Sequence, residues 1–241
     1  MARRLVVMLG MLAVGVIVVI AGPVLPASAD LVFGAVDGTG NCIAHVPTIP
    51  AASCESGLGV ALTSTENWIS PTGETVTSKS FLKVGAVPIF QFLDPNPIGG
   101  TDESGIGIAP PLGGPDNEVN NGIGTANFVS LLVTNPSHSF SGTISIDSLQ
   151  AGEQARICAE PNATSFGGAN CEDTVLNGSV LQEIGLPAGY SAADPFIAVD
   201  VLSGDVKISD LDVKVPEPAS LALLLSGMAG LVLARRRGNL F

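Results

Sequence analysis

Aromatic side chains are scarce in this 241-residue chain, with nine Phe, a single Trp (Trp68) and a single Tyr (Tyr190). A core made from such a sequence has to be filled by Val, Ile, Leu and Ala, and a sugar-binding face of stacked rings has little to draw on. Histidine is limited to His45 and His138, and no Gly-x-Ser-x-Gly, phosphate loop or His-Glu-x-x-His accompanies them. The common arrangements for nucleophilic, phosphoryl-transfer and zinc-dependent chemistry are therefore missing. The chain is expected not to be an enzyme and to require no cofactor. A secreted glycoside hydrolase working with paired carboxylates is the catalytic alternative, because acids are plentiful.

Positive charge is also in short supply. Ten Lys and Arg stand against 22 Asp and Glu, and five of the ten lie at the ends, as Arg3, Arg4, Arg235, Arg236 and Arg237. Residues 30–214 keep five basic and 21 acidic residues, a net charge of −16. A body so acidic repels nucleic-acid phosphates and anionic headgroups, which excludes nucleic acid as a partner.

Glycine (29) and proline (17) are abundant. Both weaken helix interiors and supply turns, which favours short strands. The cleanest period of two starts at Phe140, with Gly142, Ile144 and Ile146 on one face and Ser141, Thr143, Ser145 and Asp147 on the other. Residues 155–160 alternate in the same way, and 127–134 form a more continuous apolar run. Asn177-Gly178 reads as a type I′ hairpin turn between 174–176 and 179–181. Strands are expected at 196–202 and 206–213, the second with a bulge near Ser209, where the apolar positions change phase. Residues 31–36, 58–64 and 80–92 have strand-like composition, while 94–124, dense in Gly, Pro, Asn and Asp, reads as one long surface loop. No helical period longer than two turns occurs between Asp30 and Lys214. The expected fold is all-β, an antiparallel sandwich of jelly-roll type.

Residues 1–29 have the parts of a secretory signal peptide: Arg3 and Arg4, an apolar run over 5–21, and a small-residue cleavage site at Ala27-Ser28-Ala29. Signal peptidase and the secretion machinery are the expected partners, leaving a body of residues 30–214 that begins at Asp30. Residues 215–241 form a second accessory segment. Pro216-Glu217-Pro218 is followed by an apolar run over 221–234 and by Arg235-Arg236-Arg237. A helix over 219–234 spans roughly 24 Å, short of the roughly 30 Å hydrocarbon core but sufficient with snorkelling arginines. The arginines stay cytoplasmic by the positive-inside preference, which puts the Pro-Glu-Pro peptide on the outer face of the inner membrane. Two prolines keep that peptide extended and open to a processing enzyme. The sandwich is thus flanked by a signal helix and a transmembrane helix.

This tail resembles the PEP-CTERM sorting signal of Gram-negative bacteria, a Pro-Glu-Pro motif, short transmembrane helix and basic cluster read by the membrane protease exosortase. Pro216, Glu217 and Pro218 match the motif, and Arg235, Arg236 and Arg237 match the cluster. The resemblance implies an inner-membrane intermediate, tail removal near the motif, and release or attachment at the cell surface, commonly in bacteria that make exopolysaccharide and biofilm. It implies no activity for the body. The expected function is that of a non-catalytic surface or matrix protein, with a polysaccharide-binding module, calcium-assisted or not, as the alternative.

Cys42, Cys54, Cys158 and Cys171 all lie in the exported body and read as two disulfides, with the local pairs Cys42–Cys54 and Cys158–Cys171 favoured. A zinc site using Cys42, His45 and Cys54 is the competing reading. A structural calcium is considered at Asp37–Asn41 and in the loop carrying Asp102, Glu103, Asp116, Asn117, Glu118 and Asn120, because flexible acidic loops offer hard oxygen ligands.

Overall fold

The computed structural model describes residues 27–37, 39, 41–50, 59–71, 73–94, 105–109, 119–120, 126–134, 141–148, 150–178 and 182–215. The described strands, in chain order, are β1 (Ala27–Val32), β2 (His45–Val46), β3 (Val60–Ala61), β4 (Thr65–Ile69), β5 (Thr75–Leu82), β6 (Gln91–Asp94), β7 (Gly105–Ile108) and β8 (Val119–Asn120). They continue as β9 (Asn127–Val133), β10 (Gly142–Asp147), β11 (Ala151–Glu160), β12 (Cys171–Asn177), β13 (Gln182–Gly185), β14 (Phe196–Ser203) and β15 (Asp205–Val215). No helix long and apolar enough to cross a membrane occurs among the described residues, and both expected terminal helices lie outside them.

The strands pair antiparallel in two sheets. One runs β13-β10-β15-β7-β6-β3, with β1 and β8 also on β15; the other runs β12-β11-β14-β9-β5-β4-β2. A single apolar cluster draws on both, with Leu31, Ile106, Ile144, Ile146, Ile208 and Leu211 from the first and Trp68, Val129, Leu131, Ile157 and Val199 from the second. Removing these aliphatic side chains from water is what drives the sheets together. A buried polar chain crosses the same interior. Trp68 Nε1 donates to Ser78 Oγ (2.8 Å), and that hydroxyl donates to Gln91 Oε1 (2.7 Å) on the opposite sheet. Each group is satisfied, so the bridge fixes how the sheets face one another without an unpaired-polar penalty.

Several expectations are met. β9, β10 and β11 occupy the predicted segments, and Ile144, Ile146, Ala155, Ile157 and Ala159 are buried. The bulge falls at Ser209: Ser145 pairs with Asp210 and Ile146 with Ile208, leaving Ser209 as the extra residue.

Other expectations are corrected. Asn177-Gly178 does not close a hairpin, because β12 pairs with β11 whereas β13 pairs with β10 in the other sheet. Gly178 does take the positive φ of a turn (74°), but the chain there crosses between sheets. The expected strand over 80–92 divides into β5 and β6 on opposite sheets, because Gly85 and Ala86 reverse the chain at positive φ. The 94–124 loop contains β7, which is fully buried between β6 and β15. Gly105-Ile106-Gly107-Ile108 is a strict alternation hidden in glycine-rich composition. A Cβ at Gly105 would strike the Ile208 carbonyl, so only glycine allows this approach. β1 covers 27–32, where the sequence reading placed a strand over 31–36; beyond it, Val36 forms only an isolated bridge to Cys42.

Candidate functional site

The expected processing segment begins directly after the last described strand. β15 carries a basic residue at Lys207, whose Nζ pairs with Asp94 Oδ2 at 2.9 Å, then the bulge at Ser209, then buried Leu211. Past Leu211 its neighbours thin out. β10 accompanies it as far as Val213, opposite Gly142, while β1 accompanies it to Val215, opposite Ala27. Pro216, Glu217, Pro218 and Arg235–Arg237 lie outside the described residues. What the fold supplies is their attachment: an extended strand with a β-sheet on one side only at its last two residues. The pairing of Ala27 and Ala29 with this strand escaped the sequence reading, which assigned both solely to leader cleavage. No local signal marks it, since pairing over nearly the whole chain length leaves no trace in periodicity.

The acidic character of the body survives folding. Three of its five basic residues are matched by carboxylates: Lys83 with Asp200, Arg156 with Asp173, and Lys207 with Asp94. Arg156 grips Asp173 through Nε (2.6 Å) and Nη2 (2.8 Å), which holds the Asp173 carboxyl below its ordinary range. Asp200 is buried under Lys83, which itself lies over the Phe166 ring. Burial raises the Asp200 carboxyl above its ordinary value, and the lysine opposes that rise.

The ligand candidates fare differently. Asp37 directs its carboxylate inward on its own loop. Oδ1 accepts from the Thr39 hydroxyl (2.7 Å), Thr39 N–H (2.8 Å) and Asn41 N–H (3.0 Å), and Oδ2 accepts from Asn41 Nδ2 (3.0 Å). The Thr39 and Asn41 side chains hold it far below the usual carboxylate range. This is an Asx turn, the ordinary use of Asp in such a loop. Asp102, Glu103, Asp116, Asn117 and Glu118 lie outside the described residues, and of Asn120 only its place in β8 is described. Cys158 and Cys171 are joined, directly opposite each other on β11 and β12. Cys42 is likewise disulfide-bonded, which removes it as a zinc thiolate; Cys54 lies outside the described residues. His45 is occupied as well. Its Nε2 contacts Glu66 Oε2 at 2.6 Å and its Nδ1 the Pro47 carbonyl at 2.7 Å. Glu66 Oε1 in turn accepts from Thr63 N–H (2.6 Å) and its hydroxyl (2.7 Å). Both ring nitrogens are thus engaged by oxygen atoms.

Trp68 is 0% exposed, set edge-on against Phe33 (5.1 Å) and His45 (5.0 Å). Tyr190 is buried too, and burial pushes its phenol up to about 12. Neither offers a stacking platform to a sugar. A pocket of about 400 Å³ lies beside β1, lined by Leu31, Val32, Ala35, Ile43, Ile69 and Pro71 among others. Apolar walls give it shape but no acid, base or nucleophile pair.

Residues 214–237 match the family model of the PEP-CTERM protein-sorting motif. The match starts at Lys214, the first residue of β15 beyond the reach of β10. No curated protein and no solved structure matches the chain. The C-terminal region is thus a PEP-CTERM sorting signal, which marks an exported chain sorted to the cell surface with exosortase as its processing partner.

Proposed function

We propose that the sandwich is a non-catalytic module of the extracellular polymer layer, released by exosortase near Pro216-Glu217-Pro218 and left in or on the biofilm matrix. The observation that carries this reading is the continuity of β15 with the sorting motif: the last strand of the folded body leads straight into the matched segment. Three further features support a durable extracellular part. Among the described residues no cysteine is free, three of the body's five basic side chains are matched by acids, and the pocket beside β1 has apolar walls. A net charge of −16 over the body keeps such a module soluble among anionic polymers and disfavours binding to them through phosphate-like groups. The test is replacement of Pro216, Glu217 and Pro218 by alanine. The variant should stay with the membrane fraction at full length, while the parent is recovered in the extracellular matrix without its tail; identical fractionation of the two contradicts the reading.

A second reading, polysaccharide binding, has one observation in its favour. Phe90 is 66% exposed near Val84 (83%) and Val87 on the turn joining β5 to β6, an open ring of the kind that stacks on a sugar. Retention of the body on matrix polysaccharide that disappears in Phe90→Ala would favour binding over a purely structural role.

A further inference from the structure

The strands that adjoin the two expected processing points come from opposite ends of the sequence and lie side by side in the fold. β1 runs antiparallel to β15 with Ala27 opposite Val215, Ser28 opposite Lys214, Ala29 opposite Val213 and Asp30 opposite Asp212. On the other flank β10 stops at Val213. Among the described residues, Lys214 and Val215 are therefore held in the sheet by Ala27 and Ser28 alone. These two residues precede the Ala29-Asp30 junction, and Val215 is followed directly by Pro216.

We propose that removal of the leader empties the strand position beside residues 213–215, and that the vacated edge is where exosortase takes hold of the tail. The inference rests on reading Ala27-Ser28-Ala29 as the leader cleavage site and exosortase as the tail protease. A strand whose N–H and C=O groups are spent in a ladder cannot present them to a second partner. Extended peptides are commonly captured by strand addition, where main-chain hydrogen bonds give the affinity. With residues 27–29 gone, Lys214 and Val215 have no described strand beside them. Pro216 has no N–H to extend the ladder. Asp30, Leu31 and Val32 stay paired with Asp212, Leu211 and Asp210, so the body keeps its seam while the junction to the tail opens. The arrangement orders the two cuts. A chain that still carries its leader keeps the β1 flank of the junction closed, and a chain that has lost it offers that flank to the protease.

The test compares two full-length chains in cells that contain exosortase. One has the native leader; the other has a foreign leader positioned so that its removal leaves Ala27 as the first residue. Mass spectrometry of each N-terminus verifies Asp30 or Ala27, and a pulse-chase follows loss of the tail. The chain that keeps residues 27–29 should lose its tail about tenfold more slowly, the order expected for a short stretch of ladder hydrogen bonds that has to open first. Ala29→Pro in that chain, which removes the N–H that faces Val213, should restore the faster rate. Equal rates with and without residues 27–29 overturn the proposal, and so does a native N-terminus other than Asp30. Should neither chain lose its tail, the protease assignment has failed, and amide exchange at Val213 and Val215, whose N–H groups face β1, of the same two proteins purified in detergent still decides: protection only when 27–29 are present upholds the strand position, and equal exchange refutes it.

Discussion

The seven-stranded sheet passes from strand to strand along a single path, whereas the eight-stranded sheet branches at β15, which pairs with β10, β7, β1 and β8. In the first, β5 pairs with β9 from Val76 to Leu82 and β14 pairs with β11 across almost its whole length. That sheet also holds the Cys158–Cys171 bridge, the Arg156–Asp173 and Lys83–Asp200 pairs, and Trp68. In the second, β1, β7 and β8 each meet β15 over a different stretch, and β7 touches it at one register position. One sheet carries the disulfide and two of the ion pairs, and the other carries the junction to the sorting tail. A protein that must be cut at its end benefits from one-sided pairing there, because local opening draws on local contacts rather than on the whole fold.

Loss of Trp68 strikes the seven-stranded sheet hardest. Trp68→Ala removes the largest fully buried side chain and leaves Ser78 Oγ and its partner Gln91 to rearrange; a loss of about 3–5 kcal/mol is expected in denaturant melts. Cleavage of the Cys158–Cys171 bridge comes next. Replacing both cysteines by alanine frees a loop of sequence separation 13 and should cost about 3 kcal/mol in the chain-entropy account. Within the eight-stranded sheet, Gly105→Ala forces a Cβ against the Ile208 carbonyl at φ 128° and should cost about 2 kcal/mol, with exchange rising first in β7 and its neighbours. If Gly105→Ala proved as damaging as Trp68→Ala, the contrast between the sheets would fail.

The smallest effect is a pH dependence at the turn joining them. Glu153 accepts the Asp205 N–H (3.0 Å) and contacts the Ser148 hydroxyl, and burial raises its carboxyl above the ordinary 4.5. The native state therefore holds this proton more tightly than the unfolded chain. Its contribution to stability is present at pH below the ordinary value and is lost as pH rises through the raised one. Glu153→Gln should flatten that slope in melts taken from pH 4 upward; an unchanged slope would locate the titration elsewhere.

Legibility followed local signal in both sheets. β9 and β11 in the seven-stranded sheet and β10 in the eight-stranded one announce themselves by period two or by a continuous apolar run, and the Ser209 bulge on β15 shows as a phase change in the apolar positions. Other pieces were harder to see. Gly105-Ile106-Gly107-Ile108 was submerged in loop-like composition, and Asn177-Gly178 gave the right turn chemistry with the wrong partner, since a turn signal does not say which sheet receives the next strand. The sorting motif was plain because three parts in fixed order need no tertiary context. Its junction was not, because the Ala27–Val215 pairing joins residues almost a chain length apart.

The most direct test of the account is the intact mass of the mature protein from the native strain and from one lacking exosortase. The account predicts a chain starting at Asp30 and ending near Pro216-Glu217-Pro218 in the first, and the same chain extended through Phe241 in the second. A full-length C-terminus in both strains, or a trimmed one in both, would contradict it.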